Sequence, residues 1–279
     1  MNLRNNQYVV ETPYYILSIV VITIVGFPFY WLFSTSLVPR KFIFTEEVSY
    51  IPTRITLENY TRLFEAIEFS RMYINSSIVA AGSILVALIV SSFAGYSFAR
   101  GEYPGRKTFT LTTVATQMLP RVLILIPLFF ILQSIGLINS LFGLMITYLA
   151  FALPFTMLIL KAYFESLPSS LEEAAMIDGC TRFQAFTKIV LPLSVPGLIA
   201  AGTYAFVIVW QELIFALTFA GDPGVRTLPV GLLSLLGQYN QPWEVLFAGG
   251  VLATIPPLII FFALQRYLIQ GMTMGATKQ

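Results

Sequence analysis

Histidine is absent from this chain of 279 residues, and cysteine occurs once, as Cys180. Without histidine the commonest acid–base group and metal ligand is missing. A lone cysteine excludes an internal disulfide and leaves no cysteine cluster for a metal. Cys180 reads as a small residue on a short helix rather than as a reactive thiol. Charge is scarce as well. Charged residues make up 11%, against roughly 25% in a soluble domain. The net charge of +2 offers nothing for nucleic acid to bind. No G-x-x-x-x-G-K-[ST] loop occurs, and Gly101 to Lys107 (GEYPGRK) resembles one only superficially. The chain therefore carries no phosphate-cradling loop of that type.

What is abundant is apolar surface. Hydrophobic residues make up 57%, more than a soluble domain of this length can bury. A spanning helix needs about 20 apolar residues. Thr12 to Pro39 and Met72 to Ala99 are free of charge, and Thr108 to Leu160 holds only Arg121. That last stretch is long enough for two spans, split near Gly136 and Asn139-Ser140. A fifth span is expected from Val195 to Ala220, with Glu212 inside it, and a sixth from Val245 to Leu264. The expectation is an all-α integral membrane protein of six spans, residues 1–279 forming one membrane domain. The first span is too long for a signal-peptide core and lacks a small-residue cleavage site, so it reads as retained. Both termini then share one side. Lys and Arg favour that side as the cytoplasmic one, but only mildly. Trp31 and Trp243 fall near span ends, where interfacial aromatics gather. Residues 37–71 form a polar outer loop, with a short helix expected around Leu57 to Ile67.

A polar island interrupts the apolar sequence. It reads Ser170-Leu-Glu-Glu-Ala-Ala-Met-Ile-Asp-Gly179, followed after nine residues by Ile189-Val-Leu-Pro192. Ser170 and Glu173 have the S-x-x-E spacing of a capping box, and Thr181 and Gln184 repeat it as T-x-x-Q. Gly179 stands where a helix C-terminus takes a left-handed residue. The island thus reads as two short helices with a glycine break. Ala174, Ala175 and Gly179 keep its surface low enough for another backbone to approach. A solvated connector without a partner is the plainer alternative.

The island resembles the EAA loop of bacterial ABC-importer permeases, matching at Glu173, Ala174, Ala175, Gly179, Ile189, Leu191 and Pro192. Glu58-Asn59-Tyr60, Asn75-Ser76, Gln117-Met118-Leu119-Pro120, Gln265-Arg266-Tyr267 and the terminal Gly271 to Lys278 are similar to the carbohydrate branch, as the second permease of the maltose type. The resemblance covers nearly the whole chain. It implies a bacterial plasma-membrane permease with cytoplasmic termini and no ATPase site of its own. ATP and Mg2+ are used by a separate ATPase pair. The implied partners are a homologous second permease, two ATPase subunits, an extracytoplasmic solute-binding protein, the sugar and the lipid bilayer. Residues 164–192 become the cytoplasmic coupling loop. Glu172, Glu173, Ala174, Ala175, Ile177, Asp178, Gly179, Phe183 and Phe186 become the candidate ATPase-coupling residues. Residues 271–279 become a cytoplasmic tail that either frays or reaches the ATPases through Gly271, Gly275 and Lys278.

Arg121 and Glu212 are the clear intramembrane charges. Such groups are costly in lipid and usually face a bundle interior or an aqueous cavity. An ion pair, a place on the translocation path, or snorkelling at the outer interface stays open for each. Trp210, Gln211 and Glu212, with Gln117 and Tyr204, supply the aromatic faces and hydrogen-bonding groups that sugars need. The resemblance equally allows the partner permease to hold the sugar site. Asn75 reads as an interhelical hydrogen bond. An ion-coupled transporter is the rival function, but it wants a relay of Asp, Glu or His that this chain lacks. A membrane-embedded enzyme would need a nucleophile elbow, an aspartate pair or a metal cluster, and none is present. Within the resembled family, another small solute is the alternative cargo.

Overall fold

The computed structural model describes residues 3–43, 50–237 and 241–274, with side chains over residues 14–43, 50–237 and 241–267. Among the described residues all regular structure is helical. Two compact units form, one from Met1–Phe69 with Leu232–Ile255 and one from Ser70–Gly231 with Pro256–Gln279.

The first unit contains α1 (Leu3–Ser36), α2 (Glu58–Ala66) and the N-terminal part of α13 (Trp243–Met274). From Tyr14 onward α1 is one apolar run, and its membrane-length window is 0% buried. Its helicity is explained by the bilayer, where every backbone group must be satisfied within the segment. The short helix expected around Leu57 to Ile67 is present as α2. It is pinned by Asn59, whose amide donates to the Ser36 and Val38 carbonyls at 2.8 and 2.9 Å. Leu63 of the same helix is fully buried. Glu244, buried at the start of α13, faces the Arg40 guanidinium at 3.6 Å.

The second unit is built on α3 (Phe69–Arg100), α6 (Leu141–Ser166) and α10 (Val195–Trp210). Small residues allow close approach of the helices, as is common in membranes. Ala87, Ala152 and Ala205 form one buried cluster across the three. A Cβ on Gly95 would lie 3.1 Å from the Lys161 nitrogen and the Met157 oxygen, so α3 touches the α6 backbone there. Beside it Ser91 and Thr156 share a buried hydrogen bond of 2.6 Å. The expected break between the third and fourth spans is present. Gly136 and Asn139 adopt positive φ, and Ser140 caps α6 by accepting from the Gly143 N–H.

Two spans differ from the sequence expectation. The third is bent by 98° between α4 (Arg106–Thr116) and the stretch Arg121–Ser134, which includes α5 (Leu125–Ser134). Gln117 to Pro120 lie in the bend. Proline lacks an N–H and its ring opposes a continuing helix. The fifth does not run unbroken to Ala220: α10 stops at Trp210, and α11 (Ile214–Phe219) starts afresh. Among the described residues four helices are long and apolar enough to cross a membrane, rising to six if each bent pair is one span. The second pair joins Arg182–Leu193 to α10 with a bend of 73°. After α11, a loop leads to α12 (Leu228–Ser234). Asn75 holds that loop, donating to the Gly224 and Arg226 carbonyls at 3.0 and 2.9 Å. It therefore bonds loop backbone rather than a neighbouring helix. Gly271 lies within α13 and does not open a flexible tail, since the helix continues to Met274. Gly275 and Lys278 lie outside the described residues.

Candidate functional site

The polar island folds as a hairpin. Its first arm is α7 (Ser170–Ile177). Its second is α8 (Arg182–Ala185), continued by a π-helical turn over Phe186–Val190 and by α9 (Leu191–Leu193). The glycine turn is a Schellman closure. Gly179 has φ +89°, its N–H donates to the Met176 carbonyl at 3.1 Å, and the Cys180 N–H donates to the Ala175 carbonyl at 3.0 Å. Thr181 and Gln184 complete the expected capping box, at 3.3 Å from the Gln184 N–H to Thr181 Oγ1 and 2.9 Å from the Thr181 N–H to Gln184 Oε1. The box expected at Ser170 and Glu173 does not form. Ser169 already has helical dihedrals and its carbonyl accepts from the Glu172 and Glu173 N–H groups. Ser170 is thus inside the helix, and Glu173 is exposed.

Burial sorts the coupling candidates into two groups. Glu172, Ala175 and Phe186 turn inward, at 7%, 8% and 2% exposure. Phe186 packs on Tyr96 and Phe164, with ring centroids 4.5 and 6.1 Å away. Glu173, Ala174, Asp178 and Gly179 are exposed, and so are Ile177 at 86% and Phe183 at 63%. Phe183 is backed by Phe93, the rings parallel within 1° at 6.4 Å. Ile177 and Phe183 are thus the most exposed of the hairpin's large apolar side chains, ahead of Leu193, Leu171 and Met176. Glu172 was not distinguished from its neighbour by its motif. Its spacing of three from Ala175, on one helix face, is the sequence signal that it points inward.

The second constellation lies on one face of α6, at Tyr148, Phe151 and Phe155. The Tyr148 hydroxyl donates to Glu212 Oε2 at 2.9 Å. Phe151 lies under the Arg121 guanidinium, 5.5 Å from its carbon, and against Phe215 at 4.8 Å. Phe155 stacks on Tyr204 at 3.9 Å, and the Tyr204 phenol meets Arg121. Glu212 has a definite local task. Its carboxylate accepts from the Phe215 N–H at 3.0 Å and the Ala216 N–H at 3.1 Å. These are free donors at the start of α11, where negative charge is favoured. A backbone break inside an apolar span is thereby satisfied. Among the described residues no ion pair joins Arg121 to Glu212. Trp210 offers no open face, because it is buried at 8% exposure against Phe206 and Tyr73. Gln117 and Gln211 are exposed in the two breaks.

The family model described as "Binding-protein-dependent transport system inner membrane component" matches residues 87–274, well over half the chain and inclusive of the hairpin. The chain belongs to this family. The diacetylchitobiose uptake system permease DasC of Streptomyces coelicolor is 35% identical, over 90% of this chain and 91% of its own length. The trehalose transport system permease SugB of Mycobacterium tuberculosis is 33% identical, over 96% of this chain and 97% of its own. In structure, a chain of a bacterial ABC transporter that imports the acidic polysaccharide alginate superposes with a TM-score of 0.80 at 22% identity, covering 96% of this chain and 99% of that one. That likeness establishes the fold, while the family match and the curated relatives make the chain a membrane-embedded, multi-pass ABC permease.

Proposed function

We propose that this permease carries a carbohydrate inward through a complex of two permeases, two ATPase subunits and an extracytoplasmic solute-binding protein. The hairpin carries this reading: it presents Ile177 and Phe183 to solvent in a chain that has no nucleotide loop. Residues 164–192 dock in an ATPase groove on the cytoplasmic side, together with both termini. ATP and Mg2+ act in the ATPases, whose closure moves the hairpins and shifts the spans between inward- and outward-open states. Ile177, Phe183 and Ala174 make the contact, with Glu173, Asp178 and Gly179 around them. Glu172, Ala175 and Phe186 hold the hairpin from behind. The segment 271–279 lies beside the ATPases, and residues 37–71 face outward.

Gln117, Arg121, Tyr204, Gln211 and Glu212 border the translocation path, where the third and fifth spans break. A path for a hydrated solute needs polar groups at membrane depth, and irregular backbone is tolerated where it lines a cavity. The names of the curated relatives, which specify diacetylchitobiose and trehalose, support a sugar as cargo.

Reconstitution tests the proposal. In liposomes with Mg-ATP, the purified chain alone should release no phosphate above background. Assembled with its partners, it should take up radiolabelled disaccharide only when ATP is supplied. Robust ATP turnover by the isolated chain, or uptake without ATP, would overturn it.

A further inference from the structure

The C-terminal end of α3 grips the hairpin through one face. Phe93, Tyr96 and Arg100 are spaced i, i+3 and i+7, and so project to one side of a helix. Phe93 stacks on Phe183 of α8. The Tyr96 ring packs on Phe186, and its hydroxyl donates to Glu172 Oε2 at 2.6 Å. Arg100 Nε donates to Glu172 Oε1 at 2.8 Å, and its terminal nitrogen donates to the Leu167 carbonyl at 2.5 Å. Both oxygens of a buried carboxylate are thus taken by one helix, 72 and 76 residues away in sequence. The same guanidinium also ties down the linker that enters the hairpin. Covalently, the hairpin is joined only to α6 and α10. The α3 grip is a separate connection, reinforced where α3 meets the α6 backbone at Gly95.

We propose that Glu172 is a positioning residue for coupling: through Arg100 and Tyr96 it clamps the hairpin to the end of α3, so that hairpin and span move as one body during each ATP cycle. Removing one partner of a buried charged pair strands the other, so the clamp is costly to break. The inference rests on the hairpin being the ATPase contact proposed above.

The test uses the assembled complex of both permeases and the ATPase pair in lipid nanodiscs. Cys180 is first replaced by serine, and Arg100 and Glu172 are both replaced by cysteine. A short bis-thiol cross-linker then joins the two positions. With a rigid clamp, the cross-link replaces the lost ion pair and raises ATP turnover several-fold above an uncross-linked sample whose thiols are singly blocked. A tenfold loss on cross-linking would mean that the two elements must separate in each cycle, and would overturn the proposal. A second arm changes the charge alone. Glu172→Gln should lower ATP turnover several-fold at unchanged membrane insertion and unchanged recovery of the ATPases. Arg100→Lys, which keeps the cation, should lose less than Arg100→Gln. Unchanged turnover in Glu172→Gln would overturn the clamp. If the wild-type permease failed to retain the ATPases at all, the docking reading would fail instead, and the two failures are distinct.

Discussion

Gly179 permits a test in which conformation and size predict opposite orders. Its φ is +89°, and a Cβ built there meets nothing within 4 Å. Substitution therefore costs backbone strain rather than a clash. An L-residue in the left-handed region loses roughly 1–2 kcal/mol. Branching at Cβ makes such a φ a genuine outlier, so valine stands above alanine. Asparagine is the usual non-glycine residue at this position of a helix end. If the turn escapes the strain by flipping, the bonds from Gly179 to Met176 and from Cys180 to Ala175 are lost, at about 1 kcal/mol each. A cost of 1–2 kcal/mol already changes the population of the closed hairpin by a factor of about 5–30. The expected order of retained ATPase is Gly, then Asn, then Ala, then Val, although asparagine is larger than alanine. Recovery of the ATPases on the affinity-purified permease measures the order, with membrane insertion monitored in parallel. Alanine outperforming asparagine, or valine matching glycine, would refute the strain argument.

Two further perturbations address the membrane interior. Glu212→Leu should destabilise the chain more than Glu212→Gln, because glutamine keeps an acceptor for the start of α11 while leucine orphans donors at roughly 1–3 kcal/mol each; thermal aggregation of the detergent-solubilised protein reports the difference. In a double-mutant cycle with Arg121→Leu the coupling should stay well below the roughly 3–5 kcal/mol at stake in a broken buried ion pair, since no ion pair joins the residues, and a coupling of that size would contradict the observed geometry. Gly197→Ala should impair folding far more than Gly179→Ala. Its new Cβ falls 2.5 Å from the Tyr163 ring, and yield of monodisperse protein checks this.

Legibility from sequence followed the range of the interactions. The Thr181 capping box, the Gly179 turn and the Gly136–Asn139 break are local, and their residue types force them. The Ser170 box failed for a local reason too: Pro168 and Ser169 begin the helix one residue sooner than the motif suggests. The two bent spans were half legible. Pro120 opposes a continuing helix, but no pattern in the sequence gives an angle. Gln211 and Glu212 interrupt the apolar run, but neither is a helix breaker, so nothing marked the end of α10. Glu212 was visible as a costly charge, yet its task depends on a helix start that the apolar run concealed. The grip of Arg100 on Glu172 stayed hidden because its partners lie 72 residues apart. Glu172 could still have been suspected, as a charge on the inward face defined by Ala175.

The polar bonding of the hairpin also bears on the order of assembly during synthesis. Its glycine turn and capping box close within the hairpin itself. Tyr96, Arg100 and Leu167, which hold Glu172 and the entry linker, all precede it in the chain. Translation proceeds from the N-terminus at about 5–20 residues per second. When Leu193 leaves the ribosome, the partners of Glu172, of the glycine turn and of the capping box have therefore all been made. The hairpin can lock onto the end of α3 while α10 to α13 are still awaited, giving the later spans a finished surface on which to arrive.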